Sequence, residues 1–249
     1  MSVYTISHIN INVADLDASV HFYIDELGLN LVRRVSANAE SEGSAGSETA
    51  IINTGERGVS LENIKYDASA NSKEVSWPAP KLGVIGLQLE LTKPELDGAH
   101  LVDPDGVLVG VTASDRNRIA GVDLLVANLE DTKRHWSQTL GLDFQDAPSN
   151  SNYDAFVEVR SSQDQFRITL KSTPLQPELT AGLQLGARRL AFTVDDVEGS
   201  FAKAMADGAR SESAPAQFEL GPVKMLAGLW FDPNGVVLQG LQFIKTESG

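Results

Sequence analysis

The chain contains no cysteine. Disulfides, thiolate nucleophiles and thiolate-held metals are therefore excluded. Histidine is scarce too: only His8, His21, His100 and His135 are available as imidazole ligands or bases. No Lys/Arg cluster stands out among 20 basic residues set against 34 acidic ones, a formal net charge of −14. That balance makes nucleic acid a poor partner and reads as a solubility device. No apolar run approaches the roughly 18 residues of a membrane span. No signal-peptide core precedes the first alternating segment, Tyr4 to Val13. The expectation is a soluble, cytoplasmic protein without a membrane or nucleic-acid partner. What is present is ample apolar material, 42% of 249 residues, enough for one large domain or two smaller ones.

The strongest positive signal is internal repetition. Val13-Ala14-Asp15-Leu16-Asp17 returns as Val126-Ala127-Asn128-Leu129-Glu130. The same register carries Tyr23 onto Trp136 and Leu27-Gly28-Leu29 onto Leu140-Gly141-Leu142. Each copy follows an alternating strand, His8 to Val13 or Val122 to Val126. Asp15 or Asp17, and Asn128, are suited to cap the helix that follows. Leu16, Val20, Tyr23, Ile24 and Leu27 share one helical face, and Gly28 and Gly141 stand where a left-handed stop is wanted. A fainter copy runs from the strand Leu190–Val194 through a cap at Asp195 or Asp196 to a helix carrying Val197, Phe201 and Met205, ending near Gly208. Another begins at Val84–Leu89, but Thr92–Gly98 is too short for its helix and contains Pro94, so that module is truncated. Asp103-Pro104-Asp105-Gly106 and Asp232-Pro233-Asn234-Gly235 are matching tight turns into closing strands. Thr112–Asn117 is the expected linker, giving domains 1–112 and 118–249. Ala37–Thr49, Asp67–Pro80 and Ala209–Pro222 read as long polar loops.

These repeats resemble the vicinal oxygen chelate superfamily, which includes glyoxalase I, extradiol dioxygenases, methylmalonyl-CoA epimerase and bleomycin- and fosfomycin-resistance proteins. The segments "VADLDASVHFYIDELGL", "VANLEDTKRHWSQTLGL" and "LAFTVDDVEGSFAKAMADG" carry the resemblance, with the "DPDG" and "DPNG" turns. It implies an α+β fold: repeated βαβββ modules forming two cup-shaped domains of curled sheet, each enclosing a small molecule. The resemblance further implies metal-ligand slots on the first and last strand of each module. His8 and Glu62 fill the slots of the first module. The second offers a position near Val84, and Gly110. The third offers Gly121, and a position near Thr169 or Lys171. The fourth offers Arg189 and Gln239. Pairing the modules in order leaves neither site with more than two ligands. Pairing first with fourth would bring His8, Glu62 and Gln239 together as the one plausible metal set. Extradiol iron chemistry needs two histidines and a carboxylate, which the slots do not supply.

The expected cofactor is therefore none, with a divalent metal as the alternative. His8, Asn10 and Asn12 share one strand face, as do Gly121, Asp123 and Leu125. His8 with Glu62 is the candidate acid/base pair. Asn10, Asn12, Trp77, Asp123, Arg189 and Gln239 are candidate ligand-binding residues. Plain alternatives stand beside these: inter-strand hydrogen bonds for the asparagines, packing for Trp77, and an Asp123–Arg189 ion pair. Tyr153 and Trp230 are core or pocket-wall aromatics. The leading functional expectation is an enzyme acting on a small organic, aromatic or polyketide-like molecule by metal-independent isomerase, lyase or cyclase chemistry. The others are a resistance-type binding protein without catalysis, and a metal-dependent glyoxalase, epimerase or dioxygenase. The resemblance leaves a homodimer open, because sheet edges in the family often pair between subunits, without fixing the oligomeric state.

Overall fold

The computed structural model describes residues 3–37, 46–55, 58–67, 82–161, 164–175, 185–220 and 223–244. The first module comprises β1 (Val3–Asn12), α1 (Leu16–His21), β2 (Asn30–Ala37), β3 (Ser47–Asn53) and β4 (Ser60–Tyr66). The second has β5 (Gly83–Leu91), a single 3₁₀ turn at Pro94–Leu96, β6 (His100–Val102) and β7 (Leu108–Ala113). The third has β8 (Arg118–Val126), α2 (Leu129–Leu140), β9 (Gln145–Asp146), β10 (Ala155–Arg160) and β11 (Gln165–Ser172). The fourth has β12 (Gly186–Val194), α3 (Val197–Ala206), β13 (Ser211–Leu220), β14 (Val223–Phe231) and β15 (Val237–Phe243). The truncation of the second module is real: one 3₁₀ turn replaces its helix.

The helix starts follow from local chemistry. Asp15, not Asp17, caps α1 by accepting from the backbone of Asp17 and Ala18. Asn128 caps α2 and Asp196, not Asp195, caps α3. Gly141 ends α2 at φ 71°, the left-handed value a side chain resists. The first helix ends differently from its copy. Residues Phe22–Glu26 widen into a π-helical turn, which turns the consecutive rings of Phe22 and Tyr23 inward, edge to face at 5.1 Å.

Modules pair across the halves of the chain rather than within them. One sheet runs β13-β14-β15-β12-β1-β4-β3-β2, joining the fourth module to the first. The other runs β6-β7-β5-β8-β11-β10-β9, joining the second to the third. At each centre two first strands pair antiparallel, β1 with β12 and β5 with β8. The division at 112/118 therefore does not separate the sheets. Residues 114–117 form only the turn between β7 and β8, because Thr112 and Ala113 belong to β7.

What joins modules within a half is a side-chain clasp. Asp103 Oδ1 accepts from the amides of Asp105 and Val107, and its Oδ2 accepts from the buried Tyr23 hydroxyl at 2.9 Å. Asp232 does the same with the amides of Asn234 and Val236 and the Trp136 indole at 3.1 Å. The second polar residue of each turn takes the amide that follows the partner's first strand: Asp105 from Ala14, Asn234 from Ala127, both at 2.8 Å. The Asp-Pro-Asp/Asn-Gly motifs thus hold β7 and β15 against α1 and α2.

One continuous apolar core fills the space behind both sheets, including Ile9 and Ile11 of β1, Val122 and Leu124 of β8, and the buried Trp136 and Trp230. The opposite faces carry His8, Asn10 and Asn12 in one sheet and Gly121, Asp123 and Leu125 in the other. Two loop expectations need correction. The loop expected over 209–222 is a strand for most of its length, since β13 occupies Ser211–Leu220 and pairs with β14. It lies at the sheet edge, where Pro215 and polar side chains are tolerated, and the register shifts around Pro215. Likewise Ser47–Thr49 belong to β3. Most of the 67–80 segment, with Trp77, lies outside the described residues.

Candidate functional site

The concave face of the eight-stranded sheet gathers four of the candidate residues onto four strands. His8 is on β1, Glu62 on the parallel neighbour β4, Arg189 on the antiparallel neighbour β12, and Gln239 on β15. Registration brings them together: Asn10 faces Glu62 on one side and Arg189 on the other, and Ala191 lies between His8 and Gln239. His8 Nε2 stands 3.5 Å from Glu62 Oε2. The Arg189 guanidinium donates to that same oxygen at 2.7 Å. Asn10 donates its amide to the Glu62 carbonyl at 3.0 Å, which fixes β4 beside β1. Asn10, Asn12 and Gln239 are buried, whereas His8, Glu62 and Arg189 stay partly exposed. Ala191, Ala227 and Leu241 make a small apolar patch beside the polar group.

Burial is the largest influence on His8 and pushes its pKa below the usual imidazole value. Glu62 and the nearby Gln239 amide oppose that shift, while Arg189 adds to it. The imidazole is therefore neutral near pH 7 and can accept a proton. Tyr66, at the end of β4, was not singled out by sequence. Burial raises the pKa of its phenol, and Arg189 and Glu62 are close enough to act on it. The alternation Glu62, Ile64, Tyr66 on one strand face was the available signal.

The other candidates lie elsewhere. Asp123 is on β8 in the seven-stranded sheet and does not pair with Arg189. It accepts from the Thr169 hydroxyl at 2.6 Å and from the Gln88 amide. This second concave face opens a cavity of about 960 Å³, lined among others by Gln88, Arg118, Asp123, Tyr153 and Arg167. Tyr153 is therefore a wall residue, whereas Trp230 is core. The slot expected near Val84 is Gly86, the residue opposite Asp123.

The residues at the first face do not fit a divalent metal. His8 Nε2 and Glu62 Oε2 could approach one ion, and buried Gln239 Oε1 accepts no hydrogen bond among the described residues. Arg189 nevertheless holds the oxygen the ion would need. Its guanidinium cannot lose its proton. A divalent ion on Glu62 would therefore sit against a fixed positive charge. Among the described residues no group of three His, Cys, Asp or Glu side chains could hold a metal. No described helix is long and apolar enough to cross a membrane.

Comparison with known proteins is consistent with this architecture. Residues 5–74 match the model of the Glyoxalase/Bleomycin resistance protein/Dioxygenase superfamily. No curated protein matches the chain. Glyoxalase I from Zea mays is similar in structure at 15% identity, with 96% of this chain and 92% of that one covered and a TM-score of 0.65. A point mutant of the same enzyme gives 15% identity, 96% and 92% coverage and a TM-score of 0.67. A putative dioxygenase from Bacillus subtilis gives 16% identity, 97% and 86% coverage and a TM-score of 0.63. At these identities the structural likeness speaks for fold alone. Residues 5–74 thus match the glyoxalase/bleomycin resistance/dioxygenase superfamily model, and the chain as a whole has a glyoxalase-like fold.

Proposed function

We propose that this chain is a metal-independent enzyme that moves a proton within a small organic carbonyl compound held against the β1–β12 face. The observation that carries the reading is the meeting of His8, Glu62, Arg189 and Gln239 on that face. A neutral imidazole at His8 takes a proton from the carbon next to the carbonyl. The electron pair moves onto the carbonyl oxygen, and the Arg189 guanidinium stabilises the negative charge that develops there. Glu62 then faces an imidazolium and holds it until the proton returns, to the same or a neighbouring carbon. Nothing is gained or lost overall, as isomerase chemistry requires. The apolar patch of Ala191, Ala227 and Leu241 suits the hydrocarbon part of an aromatic or polyketide-like substrate.

The test begins with a panel of carbonyl compounds in D2O, read by proton NMR for enzyme-dependent exchange or isomerisation. His8→Ala and Glu62→Ala are expected to abolish turnover of the substrate found, and a chelator is expected to leave the wild type active. Full turnover by both variants would sink the mechanism. Recovery of a tightly held, unmodified ligand without turnover would favour the binding-protein reading.

A further inference from the structure

The two sheets share one register, so each position of the His8 face has a counterpart in the other. His8, Asn10, Glu62, Arg189 and Gln239 answer to Gly121, Asp123, Thr169, Gly86 and Gly110. The pairings Asn10↔Arg189 and Asn10↔Glu62 match Asp123↔Gly86 and Asp123↔Thr169. Gln239 beside Ala191 matches Gly110 beside Gln88. The carboxylate has changed strand between the two faces, and its cation has disappeared. In the first sheet Glu62 is held by Arg189 at 2.7 Å. In the second, glycine stands at the Arg189 position, and a Cβ built there would lie 3.3 Å from Asp123 Oδ2.

Asp123 receives only neutral donors, the Thr169 hydroxyl and the Gln88 amide. Two of the arginines lining the cavity are committed to other acids. Arg118 grips Glu90 through two bonds of 2.6 Å, and Arg167 bonds Glu158 directly across the strand pair. Among the described residues no basic side chain forms an ion pair with Asp123. Glycine at the Arg189 counterpart, Gly86, leaves no side chain over this carboxylate, while the Gln88 amide lies over Gly110 and the Arg167 backbone against Gly121; the cavity of about 960 Å³ opens above them. Tyr153 supplies an aromatic wall.

We propose that this second cup binds a small organic cation, whose ammonium or guanidinium group sits on Asp123 as the Arg189 guanidinium sits on Glu62 in the first. The ligand supplies the missing charge and makes charge-assisted hydrogen bonds to an acceptor already oriented by Thr169 and Gln88. Selectivity for a cation over a neutral polyol follows from Asp123, a carboxylate that meets only neutral donors on the cavity floor, while Arg160, the lining cation with no ion pair among the described residues, is exposed at the end of β10. This inference is independent of the role proposed for His8.

The test uses benzylamine as probe and benzyl alcohol as its neutral counterpart, followed by amide chemical shifts of the full chain. Benzylamine is expected to shift the amides of Gly86, Gly110 and Gly121, and benzyl alcohol to leave them unmoved at the same concentration. Asp123→Asn, which keeps the shape and removes the charge, is expected to weaken benzylamine about ten-fold or more. Should that variant fold poorly, Gly86→Lys supplies the cation internally and is expected to block the probe. Four results would overturn the proposal: no response of the wild type to benzylamine, an equal response to the alcohol, unchanged benzylamine binding by Asp123→Asn, or shifts confined to the His8 and Arg189 region.

Discussion

Asp105 is nearly inaccessible at 1% exposure, and one of its carboxylate oxygens, Oδ2, is buried with no hydrogen-bond partner among the described residues. Burial lifts its pKa from 3.8 to about 6, opposed by the Ala14 amide. A carboxyl with a raised folded pKa keeps its proton longer in the native state. Its contribution to stability is therefore full below the unfolded value near 4 and is lost as pH rises through about 6. The symmetry-related residue is Asn234, which is neutral and whose amide donates to Thr132 at 2.9 Å. Asp105→Asn is expected to remove the acid-favouring slope between about pH 4 and 6 and to stabilise the protein at pH 7 by about 1–3 kcal/mol, read by denaturant unfolding at several pH values. At His8 the sign is functional rather than structural. Activity is expected to rise with pH through a midpoint below 6.5 and then stay level, and a profile that falls over that range would exclude a neutral imidazole as the base. The His8–Glu62 pairing was legible in sequence because strand alternation and the module pattern point to both residues. The Arg189–Glu62 bond was not, because it joins residues 127 positions apart and depends on which modules pair. The mistaken Asp123–Arg189 pairing came from the same gap.

Among elements, the helices were the most readable, because caps and stops are written locally at Asn128, Gly141 and Asp196. β13 was the least readable. Its sequence is polar and carries Pro215, and only the partner strand β14 makes it a strand. The turn motifs were recognised as turns, but their second role was hidden. Nothing local announces that Asp103 will meet a tyrosine 80 positions away. Tyr23→Phe preserves packing volume and removes one donor from the buried Asp103. A loss of about 1–3 kcal/mol is expected by denaturant unfolding. A loss near zero would mean that water replaces the hydroxyl and that the clasp contributes little to joining β7 with α1.

For the whole molecule, the exchange of modules between halves sets the unit of folding. Fragments 1–113 and 118–249 each carry half of both sheets, and each leaves the apolar core strands β1 and β5, or β8 and β12, without central partners. Each fragment alone is expected to lack a cooperative unfolding transition, and the two together to form a one-to-one complex with the spectrum of the intact chain. Independent cooperative folding of either fragment would show that the halves are autonomous after all. The repeat could be read from the sequence because it depends on local periodicity, and the fold class because the repeated segments resemble a known superfamily. The choice of partner module could not, since every first strand presents a similar alternating face.

The pairing of β1 with β12 also orders events during synthesis. β5 and β8 are made in close succession, so the seven-stranded sheet can close as soon as the third module leaves the ribosome. β1 must wait while the chain grows from residue 12 to residue 186 before its antiparallel neighbour exists. At about 5–20 residues per second that interval is roughly 10–35 s. During it the strand bearing His8 has an unfilled edge. The face proposed to carry out chemistry is the last to be assembled, and it forms only beside a sheet that is already in place.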